Sequence, residues 1–147
     1  NDVRARFFEP CAPSTFPFGS PCPGPLGELP TIGLMPTFAQ RPIAGNEDFR
    51  LLLTGAPANS LAVLLISDVL TTIPIPGAPG CSLYAGLPLV SVLPAVTLGT
   101  GAANREVPLP CSIPSGTTLA FQWAIYSPQA NAFGWIVSDD LDISWNH

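Results

Sequence analysis

Prolines and glycines punctuate this chain so often that short strands are the elements it can build. The 147 residues include 19 prolines and 13 glycines. Proline removes a backbone donor and clashes inside a helix, and glycine weakens one. Between these breaks, apolar residues recur at every second position, the period of a half-buried strand. Glu47–Thr54 puts Phe49, Leu51 and Leu53 on one face and Arg50 on the other. Thr118–Tyr126 aligns Leu119, Phe121, Trp123 and Ile125. Leu61–Ser67 is apolar on both faces, as a covered central strand is. Residues 29–38 read as an edge strand, because Pro30 and Pro36 would break a central ladder.

Further strands are expected at 81–85, 89–98, 105–113 and 135–145, with a rigid loop over 74–80. Turns fall at Ala44-Gly45-Asn46, 55–59, Gly99-Thr100-Gly101, Ser115-Gly116 and 131–134. About eight or nine short strands, with no amphipathic helix beyond a turn or two, predict an all-β antiparallel β-sandwich or jelly roll.

Three regions follow. Residues 1–9 alternate, with Val3, Ala5 and Phe7 on one face and Asp2, Arg4 and Arg6 on the other, and Phe8 adjoins them. This strand stands apart from the rest and is a candidate donor strand. Residues 10–27 form a proline-rich arm of polyproline II and turns that carries Cys11 and Cys22. Residues 28–147 form the sandwich, and the length suits one domain that buries roughly 70% of its unfolded surface.

The chemistry available is narrow. There is no lysine, and the single histidine is residue 147. Catalysis at neutral pH usually draws on His, Lys or a reactive Cys, so the chain is expected not to be an enzyme and to use no cofactor. A net charge of −5 with scattered arginines argues against nucleic acid and against anionic membrane surfaces. The longest apolar run, Leu61–Ile66, is strand length, so membrane insertion is not expected. Cys11, Cys22, Cys81 and Cys111 lack the spacing of a zinc site and have no interior histidine to join them. Disulfides in an oxidising compartment fit better, as does a secreted, extracellular protein whose signal peptide has been removed.

Other candidate sites have plain structural readings. Asp139, Asp140 and Asp142 could suggest calcium, but they fall within a strand pattern in which Val137, Leu141 and Ile143 point inward, so they are expected to be solvated. Glu28, Glu47 and Asp48 have nothing to position them as a glycosidase pair. Trp123, sharing a face with Leu119 and Phe121, belongs to a core. Trp145 and Tyr84 remain as a candidate glycan platform.

Several phrases resemble those of an uncharacterised β-sandwich domain found at the C-terminal end of large secreted bacterial proteins. They are Gly19-Ser20-Pro21-Cys22-Pro23-Gly24, Phe49–Pro57, Gly77-Ala78-Pro79-Gly80-Cys81-Ser82-Leu83, and Gln122-Trp123 followed by Pro128-Gln129-Ala130-Asn131. The ordered match runs over roughly residues 18–143. The resemblance implies a non-catalytic domain with a Cys22–Cys81 bridge, which leaves Cys11 and Cys111 for each other. Here residues 1–15 stand in front of the matched part. The combined expectation is a fibre or pilus-like homopolymer, with Val3, Ala5, Phe7 and Phe8 added to a neighbouring copy's sheet. The competing expectation is a monomeric adhesion or carbohydrate-binding module.

Overall fold

A computed structural model describes residues 13–35 and 41–145. The expected strand over 1–9, with Val3, Ala5, Phe7 and Phe8, lies outside the described residues, as does Cys11.

The described residues form ten strands: β1 Ser14–Phe18, β2 Thr31–Leu34, β3 Arg50–Thr54, β4 Leu61–Ser67, β5 Leu70–Pro74, β6 Ser82–Ala85, β7 Ser91–Val96, β8 Ala103–Glu106, β9 Thr117–Tyr126 and β10 Trp135–Trp145. The pairings are antiparallel, and the strands fall into three sheets. A five-stranded sheet runs β1-β10-β9-β4-β7, a three-stranded sheet β2-β3-β8, and a hairpin joins β5 to β6.

The all-β sandwich is the architecture expected from the strand periods. Leu64, Phe121, Trp123, Ile125, Ile143 and Trp145 project from one face of the large sheet and are wholly buried. They meet Leu51 and Leu53 of the small sheet and Phe49 just before it, with the Phe49 and Phe121 rings 6.3 Å apart, edge to face. Burial of these apolar areas is the main favourable term in the fold.

Three local expectations are corrected. The proline-rich segment is not only polyproline and turns: β1 lies within it and pairs with β10, where an edge position tolerates Pro17. The strand expected over 105–113 ends at Glu106, because Pro108 and Pro110 have no N–H to give a ladder. The neighbouring N–H groups still follow β3's line, Val107 donating to the Phe49 carbonyl and Leu109 to that of Asn46. Strand β5, unforeseen, pairs with β6 and lies over the second face of the large sheet.

Gln122 holds that hairpin down. It is fully buried on β9. Its Oε1 accepts from the N–H groups of Tyr84 (2.9 Å) and Ala85 (3.3 Å). Its Nε2 donates to the carbonyls of Ser82 and Ser138, both at 2.9 Å. All four hydrogen-bonding positions of the carboxamide are therefore filled.

A β-bulge beside it reshapes β10. Between Val137 and Asp140 the register with β9 shifts, so Ser138 and Asp139 together oppose Trp123. Ser138 Oγ accepts from the Trp123 N–H at 2.9 Å. Asp139 Oδ1 accepts from the Ile32 N–H at 2.9 Å and ties β2, in the other sheet, to β10.

A Cys22–Cys81 disulfide spans 59 residues and is buried at both ends. Cys22 also exchanges backbone contact with the bulge, its N–H donating to the Val137 carbonyl at 3.1 Å. The bridge thus locks the segment after β1 and the β5–β6 hairpin to the same place on β10. Replacing both cysteines with serine is expected to lower stability by about 4 kcal/mol through the unfolded chain's regained freedom, read as a fall in the urea midpoint. Gln122→Leu is expected to cost roughly 2–4 kcal/mol, because it strands two N–H groups and two carbonyls. Amide hydrogen exchange at Tyr84 and Ala85 should accelerate with it.

Candidate assembly surface

The second face of the large sheet carries the features a partner could use. Its residues are Val63 and Leu65 of β4, Ala124 of β9 and Val137 of β10, the set opposite the sandwich core. The β5–β6 hairpin covers only part of it. Between the hairpin and the sheet runs an open groove of about 420 Å³, lined by these four with Ile73, Ile75, Leu83, Phe133 and Trp135. Every lining residue is apolar, and the size lies in the range of ordinary ligand pockets.

The apolar face continues onto β7, an edge of the sheet. Val92 pairs with Leu65 and Val96 with Leu61, and Val92, Val96 and Leu61 are 48%, 65% and 45% exposed. The Thr97 N–H donates to the Ser60 carbonyl, which sets the ladder's phase. By strand alternation Ser91, Leu93 and Ala95 then point their backbone groups at β4, and Val92, Pro94 and Val96 point theirs outward. Pro94 removes one donor from this edge, and proline on edge strands is a recognised guard against unwanted pairing. The N–H groups of Val92 and Val96 remain, with three outward carbonyls.

The candidate glycan platform is corrected. Trp145 is fully buried, and its Nε1 donates to the Pro42 carbonyl at 2.9 Å. Tyr84 is buried under the N-terminal segment, where its hydroxyl accepts from the Ser20 N–H at 3.1 Å. A Cβ at Gly19, whose φ is +74°, would run into the Tyr84 ring, so the chain passes directly over it. Strand alternation could not reveal this, because the cover comes from residues more than 60 positions away. The exposed aromatic pair is a different one: Tyr126 and half-buried Trp135 pair across β9 and β10, with ring centroids 5.3 Å apart. Trp135 also lines the groove.

Cys111 is exposed, and Cys11, its partner in the expected pair, lies outside the described residues.

The aspartates are corrected as well. The expectation of solvated acids took Val137 and Leu141, four positions apart, as sharing a face. The bulge inverts that parity. Val137 faces the groove while Leu141 opposes Phe121 in the core. Asp140 and Asp142 lie opposite Leu141 and Ile143, as alternation expects, but the hairpin covers that face, and Asp140 is 1% exposed. Burial is the main cause that pushes the Asp140 carboxyl up, to about 9, with a hydrogen bond and charge from Asp142 and the charge of Asp139 adding to it. Asp139 is also raised by burial, against the opposing effect of its bond from Ile32.

No known protein family, curated protein or solved structure matches this chain.

The aspartates make stability depend on pH. A carboxyl raised above its unfolded value stabilises fully below that value, and the contribution is lost as pH rises through the folded one. For Asp140 the window runs from 3.8 to about 9. Thermal unfolding should therefore show Asp140→Asn gaining on the parent chain as pH rises from about 5 to about 8. A difference independent of pH would rule out a protonated Asp140.

Proposed function

We propose that this chain is a secreted, non-catalytic structural subunit, which assembles when residues 1–9 of one copy add to the β7 edge of the next. The supporting observation is that β7 is an edge strand with an exposed apolar face, flanked by a groove lined only with apolar residues. Such a strip matches a strand that alternates Val3, Ala5 and Phe7. Backbone pairing supplies affinity in this mode, and alternate side chains supply specificity. The contact joins two different surfaces of the molecule, so it propagates head to tail unless it closes into a ring. The low charged fraction, 10%, suits a surface meant to be covered by copies of itself. The buried disulfide and the absence of a helix long and apolar enough to span a membrane, among the described residues, are compatible with an extracellular location.

Electron microscopy of the chain, beside a version lacking residues 1–9, tests this reading. Filaments or rings are expected in the first and monomers in the second. Phe7→Asp and Val92→Asp should each abolish assembly and leave the near-ultraviolet circular dichroism unchanged. Monomers from the full chain would overturn the proposal.

A second reading is a monomeric module that binds glycans. It is supported by the Tyr126–Trp135 pair, with Tyr126 47% exposed at the end of the groove. Under it, Trp135→Ala abolishes retention on a glycan surface and oligomeric state does not change.

A further inference from the structure

A second cavity, separate from the apolar groove, lies at the other end of the β5–β6 hairpin. It measures about 310 Å³ and is lined by Phe18, Leu70, Thr71, Thr72, Tyr84, Asp140 and Asp142. The topology assembles it from four distant parts of the chain. Phe18 on β1 pairs with Asp140 on β10, Asp142 follows on the same face, and the hairpin supplies Leu70 to Thr72 and Tyr84.

Two observations mark it as a site. Asp140 is 1% exposed and meets Asp142 side chain to side chain, yet the buried Oδ1 atoms of the two find no partner beyond that pair. Buried polar atoms are nearly always satisfied, so an orphaned pair of carboxyl oxygens at a cavity calls for a missing donor. The walls are aromatic and aliphatic: the Phe18 and Tyr84 rings stand edge to face, 5.5 Å between centroids. A carboxyl pair beside aromatic rings is the chemistry that recognises an organic cation, by charge-assisted hydrogen bonds and by attraction to the ring quadrupole.

We propose that this cavity binds the ammonium group of an aliphatic amine, its N–H donors between Asp140 and Asp142 and its alkyl stem against Phe18, Tyr84 and Leu70. A bare metal ion fits less well. Calcium favours a shell of carboxylates and carbonyls, whereas among the described residues no group of three or more His, Cys, Asp or Glu is placed to hold a metal ion, and Phe18, Leu70 and the Tyr84 ring line much of the cavity. The space is also about ten times the share of one water molecule. These 147 residues contain no lysine to supply the amine. Of the other charged groups nearby, Asp139 is engaged elsewhere, its Oδ1 accepting from the Ile32 N–H. The inference is independent of the assembly reading.

Titration of n-butylammonium into the full chain, followed by NMR of the Phe18 and Tyr84 ring signals, tests it. Saturable shifts of both rings are expected. Asp140→Asn and Asp142→Asn, each checked for a native amide spectrum, should weaken binding by about tenfold or more. Binding to the parent chain should tighten as pH rises from about 6 to about 9, because the ammonium competes with the carboxyl proton. Parallel titrations with butane-1,4-diamine and with N-acetyl-lysine amide separate a free amine from a protein lysine as the source. Absence of ring shifts, equal binding by both Asn variants, or displacement of butylammonium by equimolar calcium would overturn the proposal.

Discussion

The carboxamide of Gln122 is the contact that ties the β5–β6 hairpin and the β10 bulge to β9. A buried amide left unbonded costs more than its bonds return, so such a residue is tolerable only where every position is matched. Here the match is complete, and the partners belong to two different elements: the β6 backbone and the β10 bulge. Next to it Trp123 points the other way into the sandwich core and donates from Nε1 to the Leu52 carbonyl at 3.3 Å. One dipeptide thus serves both faces of the central sheet. That is why β9 is buried on both sides over most of its length.

The bulge at Ser138–Asp139 gives β10 two roles. Before it, Val137 looks toward the groove. After it, Leu141 and Ile143 look into the core and Asp140 and Asp142 look toward the hairpin. Without the extra residue the acids would fall on the core side, where two carboxyls among leucine and phenylalanine would be untenable. The same two residues satisfy two neighbouring strands: Ser138 takes bonds from β9, and Asp139 takes one from β2. Bulges often re-aim side chains in this way next to binding sites.

The covered face therefore has two compartments, divided by the β5–β6 hairpin. One is an apolar groove that runs toward the β7 edge, and the other is a carboxyl-lined cavity under β1. The Cys22–Cys81 bridge fixes the hairpin that separates them. Sheet-edge and side-chain chemistry are kept apart: backbone pairing and apolar pockets at β7, charge and aromatic rings near β10. Pro94 reduces the outward donors on the edge, which makes side-chain fit in the apolar strip the larger share of any specificity there.

Local pattern along the chain was enough to set the class of the fold. Proline and glycine forbade long helices, and period-two alternation in 47–54 and 118–126 set which residues of β3 and β9 meet in the core. Those signals are local, because a strand's faces follow from neighbours two positions apart. Leu61–Ser67 showed its central place in the same way, by being apolar on both faces. Everything that depends on register or cover came from the packing of distant strands. A single extra residue at the bulge put Val137 on the face opposite Leu141 and Ile143, and the hairpin covered the face on which Asp140 and Asp142 lie. Burial of Tyr84 and Trp145 came from Ser20 and Pro42, contacts 64 and 103 residues away in sequence. β5 went unseen because its burial pattern is mostly exposed, and pairing with β6 rather than a hydrophobic face makes it a strand. The apolar groove and the carboxyl cavity were equally illegible, since each is a space between elements that no stretch of sequence contains.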